Sequence, residues 1–168
     1  MAESVSNFLR QYFSSEFVIF LVSLLPILEL RGGMIAAALF GEPWHKAIII
    51  SLIGNMLPVY FVILFIESFL KWMKGVGHLS GIARWIEAKG AKHGAVMAEK
   101  YPARLYLGLM LFVAVPLPGT GAWTGALIAS VLCLDPKKSG LIICAGVLIA
   151  GVIMSVITYV IPDLIRGI

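Results

Sequence analysis

Three uncharged runs of helix length constrain this chain more than any other feature of its sequence. They cover residues 47–66, 105–134 and 139–162, and none contains Asp, Glu, Lys or Arg. About 20 apolar residues in a helix cross a bilayer core of about 30 Å. With 60% hydrophobic and only 13% charged residues, the chain has too little polar surface for a soluble globule of this size. The sequence therefore predicts an all-α integral membrane protein.

A fourth apolar region, 17–40, contains two charges in its middle. Glu29 and Arg31 stand there in the stretch "LPILELRGGM", although a charge at the membrane centre costs about 2.5–3.5 kcal/mol on the most lenient scale. Positions two apart face different sides of a regular helix. At a turn formed by the following glycines, however, both side chains can converge on one point. Charges retained at this cost are candidates for a functional site.

The two halves of the chain resemble each other. A shift of 93 positions aligns "RGGMIAAALFGEPWHKAIIIS" with "TGALIASVLCLDPKKSGLIIC", so that Gly32 falls on Gly125 and Glu42 on Asp135. Because an apolar run follows each copy, we predict a single membrane domain over 1–168. It consists of two related units at about 17–70 and 105–162, joined by a basic segment at 71–104.

Because the element at 17–40 is interrupted by charges and recurs later, it is not read as a secretion signal.

Helix breakers divide the apolar region that begins each unit. A straight helix over 105–134 would be about 45 Å long, longer than a bilayer core is thick, and "VPLPGTGAWTG" lies in its middle. Prolines remove backbone donors and glycines permit turns, and the pieces on either side, of about 16–20 Å each, cannot span alone. We predict breaks at Pro116, Pro118, Gly119 and Gly121. In the first unit, Pro26, Gly32 and Gly33 are predicted to have the same role.

The predicted fold is an inverted repeat of two units, each a re-entrant helical hairpin followed by a transmembrane helix. Irregular backbone at membrane depth requires protein or water around it, and opposed units are a common transporter design. The alternative is four ordinary spans, and counting Lys and Arg on each side does not separate the two. The positive-inside rule places 71–104 in the cytoplasm, in a multi-pass protein of the cell (inner) membrane. A homodimer is expected, because four short elements make a thin wall.

The candidate site combines the breakers of both units. In the re-entrant arrangement, the returning helices start near Gly33 and Gly121 and point their free amides at mid-membrane. Together with Arg31 these amides favour an anion, whereas Glu29 can neutralise Arg31 or carry a proton. Thr120 is a candidate N-cap. The structural alternative is an ion pair that ties one hairpin to its repeat mate. The predicted substrate- or ion-binding residues are Glu29, Arg31, Gly32, Gly33, Thr120, Gly121, Trp123 and Thr124.

Other chemistry has little support in the sequence. The three histidines lack metal-ligand spacing, so no metal or cofactor is expected. Cys133 and Cys144 are interpreted as small packing residues. A nucleic-acid partner is not expected for a basic segment tethered so close to the bilayer. No nucleophile with a neighbouring base can be assembled, so the chain is not expected to be an enzyme.

Two motifs carry a family resemblance: "ELRGG" at 29–33 and "PLPGTGAWTG" at 116–125. With them the chain resembles the bacterial family named putative small multidrug export proteins, and that family is distantly similar to the DedA and VTT-domain membrane proteins. The resemblance implies paired re-entrant hairpins and translocation of lipids such as undecaprenyl phosphate. It also implies proton coupling through Glu29 and Arg31. A second embedded arginine is missing, because Thr124 stands at the position equivalent to Arg31.

The leading functional hypothesis is a secondary transporter or flippase for an anionic amphiphile, such as a polyprenyl phosphate lipid, with protons as coupling ion. Export of small hydrophobic cationic drugs is the first alternative. It is disfavoured because Arg31 lies two residues from the acid that would meet the cation. An intramembrane enzyme acting on lipid headgroups is the second alternative.

Overall fold

Helices account for all the regular structure of the residues that the computed structural model describes, which are 13–76, 80–81, 84, 102–117 and 119–166. This confirms the predicted all-α class. Most of the basic segment 71–104, and Pro118, lie outside these residues. The helices are α1 Ser15–Leu24, α2 Glu29–Leu39, α3 Trp44–Gly75, α4 Pro102–Ala114, α5 Ala122–Val131, α6 Pro136–Ser155 and α7 Ile161–Arg166, with a π-helical turn, Val156–Val160, between the last two. An order of short, short and long helix occurs twice.

Each pair of short helices folds back on itself. A Cβ on Gly33 would lie 1.9 Å from Ser23 Oγ, although ten residues of straight helix would separate them by about 15 Å. Likewise, a Cβ on Gly125 would lie 2.7 Å from Val113 Cγ2. We call α1–α2 the first hairpin and α4–α5 the second hairpin.

The turns of the two hairpins do not use the breakers in the same way. In the second hairpin α4 ends at Ala114, before Pro116, and α5 begins after Gly121, as predicted. In the first hairpin the turn lies at 25–28, and the prediction that Gly32 and Gly33 break the helix is wrong, because both lie inside α2. Their missing side chains instead let α2 pack closely against α1, since a Cβ on Gly32 would lie 3.2 Å from Val22 Cγ1.

Within the part of the chain that the structure describes, two helices are long and apolar enough to cross a membrane, and they coincide with predicted runs. They are Trp44–Phe65 within α3 and Pro136–Ile165, which includes α6. Large apolar side chains cover their outer surfaces: Leu141 is 73% exposed and Phe65 67%. Water would oppose such a surface, whereas lipid accepts it. The short helices, of 10–13 residues, extend only about 15–20 Å each.

The two long helices run in opposite directions. Gly151 of α6 lies against Ile48 near the start of α3, whereas a Cβ on Gly140 would lie 4.0 Å from Ile63 Cδ1, further along α3. The first hairpin therefore leads into α3 at one end of the bundle, and the second hairpin leads into α6 at the other. We call these the Glu42 end and the Arg104 end.

The ends of the repeated helices match with a one-residue shift. Gly32 N bonds Leu28 O and Gly125 N bonds Gly121 O, an offset of 93. At the other end, Glu42 N bonds Ala37 O and Leu134 N bonds Ala129 O, an offset of 92. Since α2 is one residue longer than α5, the sequence alignment is correct at the helix starts. It is one residue off where it places Glu42 on Asp135.

A charged cluster at the Glu42 end ties α1 to the start of α3. Lys46 Nζ lies 2.5 Å from Glu16 Oε1 and 2.9 Å from Glu42 Oε2, and the Ser15 hydroxyl donates to the Glu42 carboxylate. The hydrogen bond and charge of Lys46 lower the pKa of Glu16 from its ordinary 4.5 to about 2. Hydrogen bonds from Ser15 and Lys46 also lower the pKa of Glu42.

The contribution of this cluster to stability is expected to depend on pH. Because the folded pKa of Glu16 lies below its unfolded value, the contribution is complete above about pH 4.5 and disappears as the pH falls towards 2. Thermal unfolding in detergent should show a falling melting temperature across that window, and Lys46→Gln should reduce the fall. Lys137→Gln, an exposed lysine at the Arg104 end, is the control. An unchanged profile in Lys46→Gln would contradict the assignment.

Candidate functional site

The carboxylate of Glu29 joins the two hairpins. Its Oε2 accepts a hydrogen bond from Ala122 N at 3.2 Å, and its Oε1 accepts one from Trp123 N at 3.1 Å. These are the first two amides of α5, which have no partner within their own helix. The side chain is nearly buried, at 5% exposure. A negative group at this place also complements the positive end of the helix dipole.

Gly121 makes this close approach possible. A Cβ at this position would lie 2.1 Å from Glu29 Oε2, and the backbone φ is 149°, a conformation that L side chains rarely adopt. Any side chain at position 121 would overlap the Glu29 carboxylate, so the contact between Glu29 and α5 requires glycine there.

Arg31 binds the other side of the same turn. Its Nη1 donates to Leu117 O at 2.9 Å and to Thr120 O, and its Nη2 donates to Val115 O at 3.0 Å and to Thr120 Oγ1 at 3.1 Å. Three of these acceptors are carbonyls that follow the end of α4 and lack helical partners. The predicted N-cap role of Thr120 is wrong, because its single hydroxyl hydrogen points back to Val115 O and Leu117 O, which share it, and the N-cap residue is Gly121.

Both charges thus bind backbone groups of the opposite hairpin. Glu29 and Arg31 are not paired with each other, in contrast to Lys46 and its two glutamates at the Glu42 end. The predicted structural alternative was an ion pair between the hairpins, and two separate charge-to-backbone contacts take its place. Residues 29 and 122 are 93 positions apart, the offset of the sequence alignment, so two positions that the alignment pairs meet here.

A cavity of about 510 Å³ lies between the two turns. Five of the eight predicted site residues line it: Glu29, Arg31, Gly32, Thr120 and Thr124. The rest of its wall is mainly apolar and includes Ile27 and Leu117, both strongly exposed on the outside of the bundle. The cavity therefore combines an arginine and a carboxylate with apolar walls that reach the surface.

The other three predicted residues do not line this cavity. Gly33 lies between Ser23 and Ser51, and Gly121 lies behind the carboxylate of Glu29. The side chain of Trp123 lines a separate apolar groove of about 380 Å³ beside Pro58 of α3. Of the three, Gly121 and the Trp123 amide contact the Glu29 carboxylate, whereas Gly33 allows close packing of α2.

Sequence reasoning gave little weight to Asn55. It is 1% exposed, and its Oδ1 has no hydrogen-bond partner within the described part of the chain. Helices α2 and α3 are antiparallel, and Gly33 lies against Ser51. About one helical turn further from the loop that joins them, Glu29 on α2 is level with Asn55 on α3. A polar residue in an uncharged run was the available signal, but its burial depends on the packing of α2 against α3.

This arrangement defines a helical membrane protein whose two hairpins meet at a charged cavity. A family model described as "Putative small multi-drug export protein" matches residues 29–153, from Glu29 into α6. The chain belongs to this family, whose name indicates a membrane export role rather than an enzyme. No curated protein and no solved structure matches the chain significantly.

The contacts of Glu29 and Arg31 are expected to hold the hairpins together. Glu29→Gln leaves one oxygen acceptor and turns an amide donor towards a backbone N–H, so we expect a loss of roughly 1.5–3 kcal/mol. Arg31→Lys should also destabilise, because a single ammonium cannot reproduce the planar fork that bonds four acceptors. Thermal unfolding in detergent measures both effects. Asp163→Asn, an exposed carboxylate, should change nothing, and wild-type stability in Glu29→Gln would show that the carboxylate contacts are unimportant.

Proposed function

We propose that this protein is a secondary membrane transporter that moves an anionic amphiphile, such as a polyprenyl phosphate lipid, through the cavity between the hairpin turns. The observation that carries this proposal is that the Glu29 carboxylate accepts hydrogen bonds from the amides of Ala122 and Trp123, beside Arg31. The site already binds one anion, which belongs to the chain itself. A phosphate uses the same donors, helix N-terminal amides and arginine.

The proposed membrane placement is an inverted repeat with re-entrant hairpins. The opposite directions of α3 and α6, and short helices of about 15–20 Å against a bilayer core of about 30 Å, support it. In this placement the two hairpins enter from opposite faces and their turns meet at mid-depth. Residues 71–104 would face the cytoplasm, and the protein would act in the inner membrane as a homodimer.

In the proposed mechanism Glu29 alternates with the substrate. The ionised carboxylate occupies the α5 amides when the cavity is empty. A proton on Glu29 weakens this hold, because a neutral carboxylic acid accepts hydrogen bonds less strongly than a carboxylate. A substrate phosphate can then take the amides and contact Arg31, while the apolar wall at Ile27 and Leu117 covers the start of its hydrocarbon chain. A proton and a singly ionised phosphate would therefore bind together without changing the charge of the loaded site, whereas a doubly ionised phosphate would add one negative charge.

Export of hydrophobic cations is the second candidate, and the family's name favours it. The apolar walls of the cavity suit such molecules. However, Arg31 lines the same cavity, and both oxygens of Glu29 face the amides of α5. A cation would have to displace these bonds beside a fixed positive charge, so the local electrostatics favour an anion.

Flipping by purified protein in liposomes tests the proposal. A polyprenyl phosphate with a fluorophore on its chain and a membrane-impermeant quencher report transfer between leaflets. We expect wild-type protein to accelerate transfer and Arg31→Lys to slow it by about tenfold or more, a loss of one good charge-assisted contact. Glu29→Gln should abolish the dependence on an applied pH gradient. Asp163→Asn is the control.

The same liposomes separate the rival function. Uptake of tetraphenylphosphonium that is lost in Glu29→Gln and improved in Arg31→Ala would identify a cation exporter. Lipid transfer at the wild-type rate in both Glu29→Gln and Arg31→Lys would refute the assignment of the site.

A further inference from the structure

Another groove, distinct from the one beside Trp123, lies on the outside of the second hairpin. It lies between α4 and α5, has a volume of about 430 Å³, and is lined by apolar side chains including Leu105, Leu109, Phe112 and Ile128. Its single charged lining residue among those described is Arg104, which is exposed at the start of α4. The groove extends from the Arg104 end towards the middle of the bundle, since Phe112 lies eight residues, or about 12 Å, further along the helix.

The groove continues towards the central cavity along both helices. On α5, Thr124 lines the central cavity, and Ile128 and Leu132 line the groove. These three residues are four apart and share one helix face. Phe112 of α4 lines the groove, and Pro116, in the turn just after α4, lines the cavity. The two spaces are therefore neighbours along one face of the second hairpin.

The Arg104 end carries positive charge around this groove. Besides Arg104, Lys137 and Lys138 are exposed in the first turn of α6, a few residues after Leu134, which also lines the groove. Basic residues above an apolar cleft between membrane helices match a lipid with an anionic headgroup. A neutral lipid would gain only the apolar contacts.

We propose that this groove binds the hydrocarbon chain of an anionic membrane lipid whose headgroup lies at Arg104. The claim that such a lipid reaches Arg31 through this groove rests on the proposed function. The binding of the lipid in the groove does not, and it can be measured by itself. The headgroup leaves Arg104 and moves along the face of Phe112 and Thr124 into the central cavity. The headgroup would thus exchange the positive charge of Arg104 at the start of the route for that of Arg31 at its end.

Gly108 offers a way to close the groove without disturbing the core. A Cβ at this position would meet no atom within 4 Å, and the residue lines the groove. A phenylalanine there would fill the groove from α4. Gly75, at the end of α3, also has open space around it and is a matched control.

Photolabelling of the full chain in phosphatidylcholine nanodiscs tests the site. The probes are phosphatidylglycerol and phosphatidylcholine, each with a diazirine on the acyl chain, and the adducts are located by mass spectrometry. We expect the phosphatidylglycerol probe to label 104–112 and 128–134 preferentially. Arg104→Gln should lower this labelling about fivefold, the effect of one basic residue near the headgroups, whereas Lys46→Gln at the Glu42 end should not. Gly108→Phe should reduce labelling by both probes, and Gly75→Phe should not.

Several outcomes would overturn the proposal. Equal labelling by the two probes in wild-type protein, or unchanged labelling in Arg104→Gln, would mean that only ordinary surrounding lipid occupies the groove. Adducts concentrated outside α4 and α5 would refute the location. The result is independent of the central site: preferential labelling lost in Arg104→Gln stands even if Glu29→Gln and Arg31→Lys transport normally.

Discussion

The rest of the arrangement depends on the hydrogen bonds that the Glu29 carboxylate accepts from the first two amides of α5. A turn between two short helices exposes free carbonyls at the end of the first helix and free N–H groups at the start of the second. The hydrocarbon of a membrane cannot form hydrogen bonds with either kind of group. Glu29 takes the amides of Ala122 and Trp123, while Arg31 takes carbonyls from Val115 to Thr120. Two opposite charges from one hairpin thus complete the backbone of the other, and this accounts for their presence in an apolar region.

The same contacts connect stability to function. Glu29 and Arg31 line the central cavity, so an anion that binds there competes with the groups that hold the hairpins together. Opening the site then requires breaking the contacts that close it, unless a proton first weakens the hold of Glu29. In the proposed mechanism, two states would differ in which anion occupies the α5 amides, and this would meet the requirement that a transported ligand favour one arrangement over the other.

Particular residues show where sequence reasoning succeeded. The length of the run 105–134 and the position of Pro116 and Gly121 predicted that the second apolar region folds back, because proline and glycine act locally on the backbone. Gly32 and Gly33 misled the same reasoning. A glycine that permits a turn and a glycine that permits close helix contact are identical in the sequence, and only the approach of Ser23 and Ser51 distinguishes them.

The sequence by itself determined the helical class, the two long apolar helices and the division of each unit into short helices and a long one. These depend on hydrophobic length and local backbone chemistry, which are properties of neighbouring residues. Only the tertiary structure decided the partners of Glu29 and Arg31, the burial of Asn55 and the face shared by the groove and the central cavity. The partners of Glu29 and Arg31 lie 84–94 positions away in the chain, and the other two features depend on how neighbouring helices pack, which no local sequence pattern specifies. A one-residue difference in length between α2 and α5 is likewise invisible to an alignment without gaps.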